Sequence, residues 1–246
     1  MQHEFPMGDD FFEIVVAGEM GCETQTTRSL NDFGDKATIC RQLLGNVLSL
    51  IYREACCFYG CDNGDHLPQR IAARITSHAL SSIRLMNMGY YDESLTITRS
   101  IGEMANLLFL FAFKPAYFEK WKIADDSARW KDFRPKKVRD ALKAAMLPIP
   151  IDEQRYKLLS SIVVHLAPDV TPQAHQPQTH PTVGSVFRAE NFVVGLNELA
   201  AATGVAAAGL LPMLPGNRKE QVKTATVDLL RSIGSLDLAA IKQMGL

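Results

Sequence analysis

The chain has 246 residues, a formal net charge of −1, 47% apolar and 22% charged residues. That suffices for one sizeable core or two small ones, and no charge excess marks the protein for nucleic acid or a membrane surface. Its five cysteines (Cys22, Cys40, Cys56, Cys57, Cys61) are an odd number and three are crowded together, which does not make a disulfide framework and points to a reducing compartment.

The N-terminus, MQHEFPMGDDFFE, is acidic and lacks the basic start of a signal peptide, so a cytoplasmic location is expected. Residues 1–34 read as an arm or loop. Phe11 to Ala17 suits a short strand or a docked arm, and Gly18 to Gly34 reads as a loop from its Gly, Thr, Asn and Asp content. Residues 35–246 read as a single helical-bundle domain. Asp35 to Phe58 repeats apolar residues at helical spacing, with Asp35 as its cap and Gly60 as its stop. A second helix runs from Pro68 to Asn87. Ile71, Ile75, Ala79, Ser82 and Met86 form its core face, and Arg70, Arg74, His78 and Ser81 another.

Met88-Gly89 ends that helix, and the short connection makes the next one an antiparallel neighbour. This next helix, Tyr91 to Phe113, is apolar almost all round in its second half, as in a helix buried among others. Thr96, Arg99, Glu103 and Asn106 break the pattern. At 100° per residue they fall within about 80° of one another, in one narrow polar stripe. Lys114 to Lys143 holds ten Lys or Arg against five acids, interleaved with Tyr117, Phe118, Trp121, Trp130 and Phe133. It reads as two short helices split near Arg134-Pro135.

Asp152 caps a helix to about Leu166. Thr171 to Thr182 carries three prolines and reads as a surface loop. Val186 to Leu210 is a long Ala-rich helix, and 217–233 and 235–244 are the last two. With no repeat and no alternating strands, the fold class is all-α: a multi-helix bundle around a buried central helix. Met104 to Phe113 is too short to span a membrane. Phe192 to Leu211 is long enough, but it carries Asn197 and Glu198 among small residues, so a buried, closely packed helix is expected.

A buried charge must be paired or used. Arg99 and Glu103, at i and i+4, can meet, although Arg before Glu is the weaker order for an exposed pair. One reading is a structural ion pair holding helices in register. The other is a polar site completed by facing helices, with His165 and Ser161 of the 152–166 helix and Arg74 and His78 of the preceding helix as partners. An arginine beside a histidine, with no metal, suits phosphodiester chemistry. Arginine stabilises the phosphate charge, and histidine or glutamate moves the proton. Cys57, Cys61 and His66 lack zinc spacing, and His175 with His180 makes a poor metal site. No metal or cofactor is expected; no nucleotide-binding glycine fingerprint, phosphate loop or nucleophile elbow occurs.

The run Ser77-His78-Ala79, then MNMGYYDESLTITRSIGE, FRPKKVRDAL and YKLLSSIVVHL, resembles a bacterial all-helical domain family of unknown function, similar to the HEPN helical bundles. The likeness covers about residues 68–168. A Gly-aromatic turn precedes a helix with Arg-x-x-x-Glu, matched by Arg99 and Glu103. A later helix carries Ser then His, matched by Ser160 or Ser161 and His165. The usual HEPN signature spaces Arg and His by four to six residues, whereas three separate Arg74 from His78. The resemblance implies a ribonuclease or RNA-binding component of toxin or phage-defence systems. Arg99 would hold phosphate, His165 transfer the proton, Glu103 orient Arg99, and the basic segment 114–143 guide RNA. The alternative is a non-enzymatic interaction or regulatory module, homodimeric through the Ala-rich helix, or a small-ligand pocket around the stripe.

Overall fold

The computed structural model describes residues 6–30, 32, 34–59, 66–164 and 184–233. Among these, ten α-helices are present and no strand. They are α1 (Asp9–Ser29), α2 (Asp35–Ala55), α3 (Leu67–Asn87), α4 (Tyr91–Phe113), α5 (Pro115–Ile123), α6 (Asp126–Phe133), α7 (Pro135–Ala144), α8 (Glu153–Val163), α9 (Ala189–Leu210) and α10 (Gly216–Ser232). The expected helix over 235–244 and the loop over 171–182 lie outside the described residues.

The core is built by α4 and α9, which share the most extensive contact, wrapped by α2, α3 and α10. Helical spacing puts Leu44, Val47 and Ile51 of α2 and Ile75, Ala79 and Met86 of α3 fully inside. The α9 helix packs close because its small residues leave room. An added Cβ on Gly195, Gly204 or Gly209 would lie within 2.7 Å of Met86, Leu230 or Leu108. The residues of Ala189–Met213 are long and apolar enough to cross a membrane, yet 67% of the most apolar stretch is buried against the other helices. Gly195, Gly204 and Gly209 of this helix are thus used within the bundle.

Three sequence expectations change, the smallest being that α2 is capped at Gly34 with no side-chain capping bond, and Asp35 is its first helical residue. The first concerns α1, which is one helix from Asp9 to Ser29 rather than a strand followed by a loop. Thr24 and Thr27 donate their hydroxyls to the carbonyls of Met20 and Glu23, four residues back, which keeps these residues inside the helix. Tertiary anchors hold it: Tyr90 donates to Glu19, Thr26 donates to the Asn87 carbonyl, and Arg84 pairs with Glu23. The second concerns the basic segment, which forms three helices rather than two. Asp125 caps α6 through the Ala128 N–H at 2.7 Å, so chain direction changes there as well as at Pro135.

The α3–α4 turn also fixes the start of α9. Gly89 has φ +85°, and a Cβ there would lie 2.6 Å from the Val186 nitrogen. The Arg188 N–H donates to the Tyr91 hydroxyl at 2.8 Å. The α2 and α10 helices are joined by Glu54, almost fully buried, which pairs with Arg53 at 3.4 Å and Arg218 at 3.1 Å.

Candidate functional site

The polar stripe of α4 forms a seam against α8 and the segment leading into it. Thr96 donates to the Val163 carbonyl at 3.4 Å. Arg99 donates from Nε and Nη2 to Glu103 Oε1, at 3.1 and 2.9 Å. It also reaches the Ser160 hydroxyl at 3.4 Å and the Tyr156 hydroxyl at 3.5 Å. Asn106 closes the far end. It donates to the Ile151 carbonyl at 2.8 Å and accepts from the Ile151 N–H at 2.9 Å.

The Arg99 guanidinium carbon lies 4.8 Å from the Tyr156 ring centroid, and that of Arg139, from α7, lies 4.3 Å from the same centroid. One aromatic ring therefore joins cations of α4 and α7. Arg139 Nη1 is buried without a hydrogen-bond partner among the described residues. The Arg99 and Glu103 side chains are only 17% and 23% exposed. Burial at that level needs a partner for each charge, and each supplies the other's.

Not all the expected partners come together. Ser160, not Ser161, reaches Arg99; the Ser161 hydroxyl is exposed and donates to the Leu158 carbonyl. His165 lies outside the described residues. On α3, Ser82 meets α4 through Ser94 and Thr98, at 2.7 and 3.0 Å between hydroxyl oxygens. Arg74 and His78 are not among the groups bonded to Arg99 in the described residues. Burial and the neighbouring Arg74 push the His78 pKa below the usual histidine range. Tyr156 and Ser160 had a legible signal, their i, i+4 spacing on one face of α8. Arg139 had none.

The other candidates separate. The Cys57 sulfur lies 3.7 Å from His66 Nδ1, while Cys61, His175 and His180 fall outside the described residues. No three metal-ligating side chains converge among the described residues. The aromatics of the basic segment mostly turn inward. Phe118, Trp121 and Phe133 have ring centroids 5.2, 5.4 and 6.3 Å from that of Phe111. Trp130 instead stands 75% exposed.

A cavity of about 700 Å³ lies beside the seam, walled by α2, α4, α8, α9 and α10. Thr98, Gly102 and Ala105 form its α4 wall, on a face next to Arg99 and Glu103. Arg155 of α8 and Glu198 of α9 pair across it. The class that fold and site define is an all-α bundle with a polar inter-helix clamp and an adjoining cavity. Comparison with protein-family models, curated proteins and solved structures finds no match for the chain.

Proposed function

We propose that the protein is a non-enzymatic interaction module that self-associates through α1. The observation that carries this reading is the outer face of that helix. Phe12, Val16 and Met20, at i, i+4 and i+8, are 65%, 50% and 63% exposed. Three large apolar side chains in one exposed row mark an interaction surface. The Arg99 network supports the same reading, because its donors already serve Glu103, Ser160 and Tyr156.

The partner is a second copy of the chain. A trough of about 620 Å³ between α2 and α3 is lined by Leu48, Tyr52, Leu80 and Ile83, with Arg41 on its wall. Tyr52 and Leu80 are 54% and 49% exposed. Asp9 and Glu13 flank the α1 row, so an acidic, apolar ridge matches an apolar trough with a cation beside it. Light scattering after gel filtration tests this. A dimer is expected, converted to monomer by Met20→Glu or Leu80→Glu and weakened by Glu13→Lys or Arg41→Glu. The Glu13→Lys, Arg41→Glu pair together restores it. A wild-type monomer at high micromolar concentration removes the reading.

A second reading is RNA binding, with the toxin or phage-defence role that the HEPN resemblance implies. The exposed Trp130, beside Lys131 and Arg134, favours it, because an open indole in a basic surface stacks bases. Anisotropy of a labelled single-stranded RNA is expected to show salt-sensitive binding that Trp130→Ala weakens. Cleavage lost in Arg99→Ala and His165→Ala proteins of unchanged melting temperature would favour catalysis over the interaction module.

A further inference from the structure

The cavity beside the clamp has two kinds of wall. Gly102, Ala105, Ile151 and Val205 give its lining an apolar part. Lys36, from the first turn of α2, and Arg231, from the last turn of α10, a helix packed on α2, give it cations. Both are exposed, and neither makes an ion pair among the described residues. Arg155 and Glu198 cancel one another on the wall. Cys40 adds no negative charge, because burial pushes its thiol pKa up to about 11. The lining therefore combines two uncompensated cations with apolar surface, in a volume ordinary for small-molecule sites.

We infer that this cavity binds a small organic anion, with its carboxylate or phosphate head between Lys36 and Arg231 and its apolar body against α4 and α9. The Arg155–Glu198 pair makes the wall continuous between α8 and α9, and Arg99, bonded to Ser160 and Tyr156, holds α8 where that pair forms. The inference does not depend on self-association.

Isothermal titration of the full chain with octanoate, octyl phosphate and neutral octanol tests it. One-to-one binding of an anion is expected, at least tenfold tighter than octanol. Tighter binding of one anion names the head group. Lys36→Glu and Arg231→Glu should each weaken it at least tenfold at unchanged melting temperature, since both side chains are exposed. Ala201→Phe, which narrows the cavity from a half-buried position, should abolish it. A Phe12→Glu, Met20→Glu protein should bind as the wild type does, because those residues lie on α1. Failure of both anions to bind, octanol binding equally well, indifference to both charge reversals, or loss of binding on changing α1 would overturn the inference.

Discussion

Asn106 holds the backbone of Ile151 with both ends of its amide, donating to the carbonyl at 2.8 Å and accepting from the N–H at 2.9 Å. A side chain of the central helix thus satisfies a residue in the irregular segment that leads into α8. Both partners are buried, so the pairing decides where α8 begins. Replacing Asn106 by Leu leaves a buried donor and acceptor without partners. A loss of about 2–4 kcal/mol is expected from equilibrium urea unfolding. Asn106→Asp should cost at least as much at neutral pH, since it buries a carboxylate against the Ile151 carbonyl.

Gly102 sits directly under the same residue. A Cβ there would be 1.8 Å from Ile151 Cδ1 and 2.6 Å from Cγ1. Gly102→Ala should therefore destabilise by about 1–3 kcal/mol despite alanine's better helix propensity. Ile151→Ala in the same chain makes the space. The double variant should be at least about 1 kcal/mol more stable than the sum of the single effects, as measured by a double-mutant cycle. Additivity would mean that the two residues do not meet.

The Arg99–Glu103 pair predicts non-additive effects. Arg99→Ala strands a partly buried carboxylate and Glu103→Ala a partly buried guanidinium. Partial exposure moderates the cost to about 1–3 kcal/mol each. Arg99→Met with Glu103→Leu removes both charges and should cost less than either alanine variant. Thermal unfolding of the three proteins checks this. A double variant as damaged as the sum would deny that the charges serve one another.

His78 makes stability fall in acid. Its folded pKa is lowered by burial and by Arg74, so the unfolded chain takes up the proton more readily. The contribution is present above the unfolded value of about 6.5 and is lost as pH falls through the folded value. Urea midpoints should therefore decline from pH 7.5 to 5.5, and His78→Gln should flatten that decline. An unchanged pH profile in His78→Gln would assign the acid loss to other groups.

How much of this is legible in the sequence differs by region. The central helix appears with the bounds Tyr91 and Phe113, because an apolar helix with a narrow polar stripe has few other solutions. The stripe itself is legible as a set, since Thr96, Arg99 and Asn106 bond α8 or its approach and Glu103 bonds Arg99. What each would bond is not, because the partners lie 45 to 67 residues further along the chain. Ile151 enters through its backbone, which no residue pattern announces. In α1, the β-branched run and the glycines misdirect local reading, while the anchors that favour helix come from Arg84, Asn87 and Tyr90.

The pairing of α4 with α9 also bears on synthesis. The most extensive contact in the bundle joins helices about a hundred residues apart, and α9 is the later one. Until it leaves the ribosome, the most apolar side of α4 lacks its main cover. A nascent chain ending before Ala189 carries Leu108 and Phe109 without the Gly209 surface that seats them. Such truncations should be captured by chaperones or aggregate, whereas chains extending past Ser232, with α10 also in place, should fold. The cover of the central helix is thereby among the last parts of the bundle to be made.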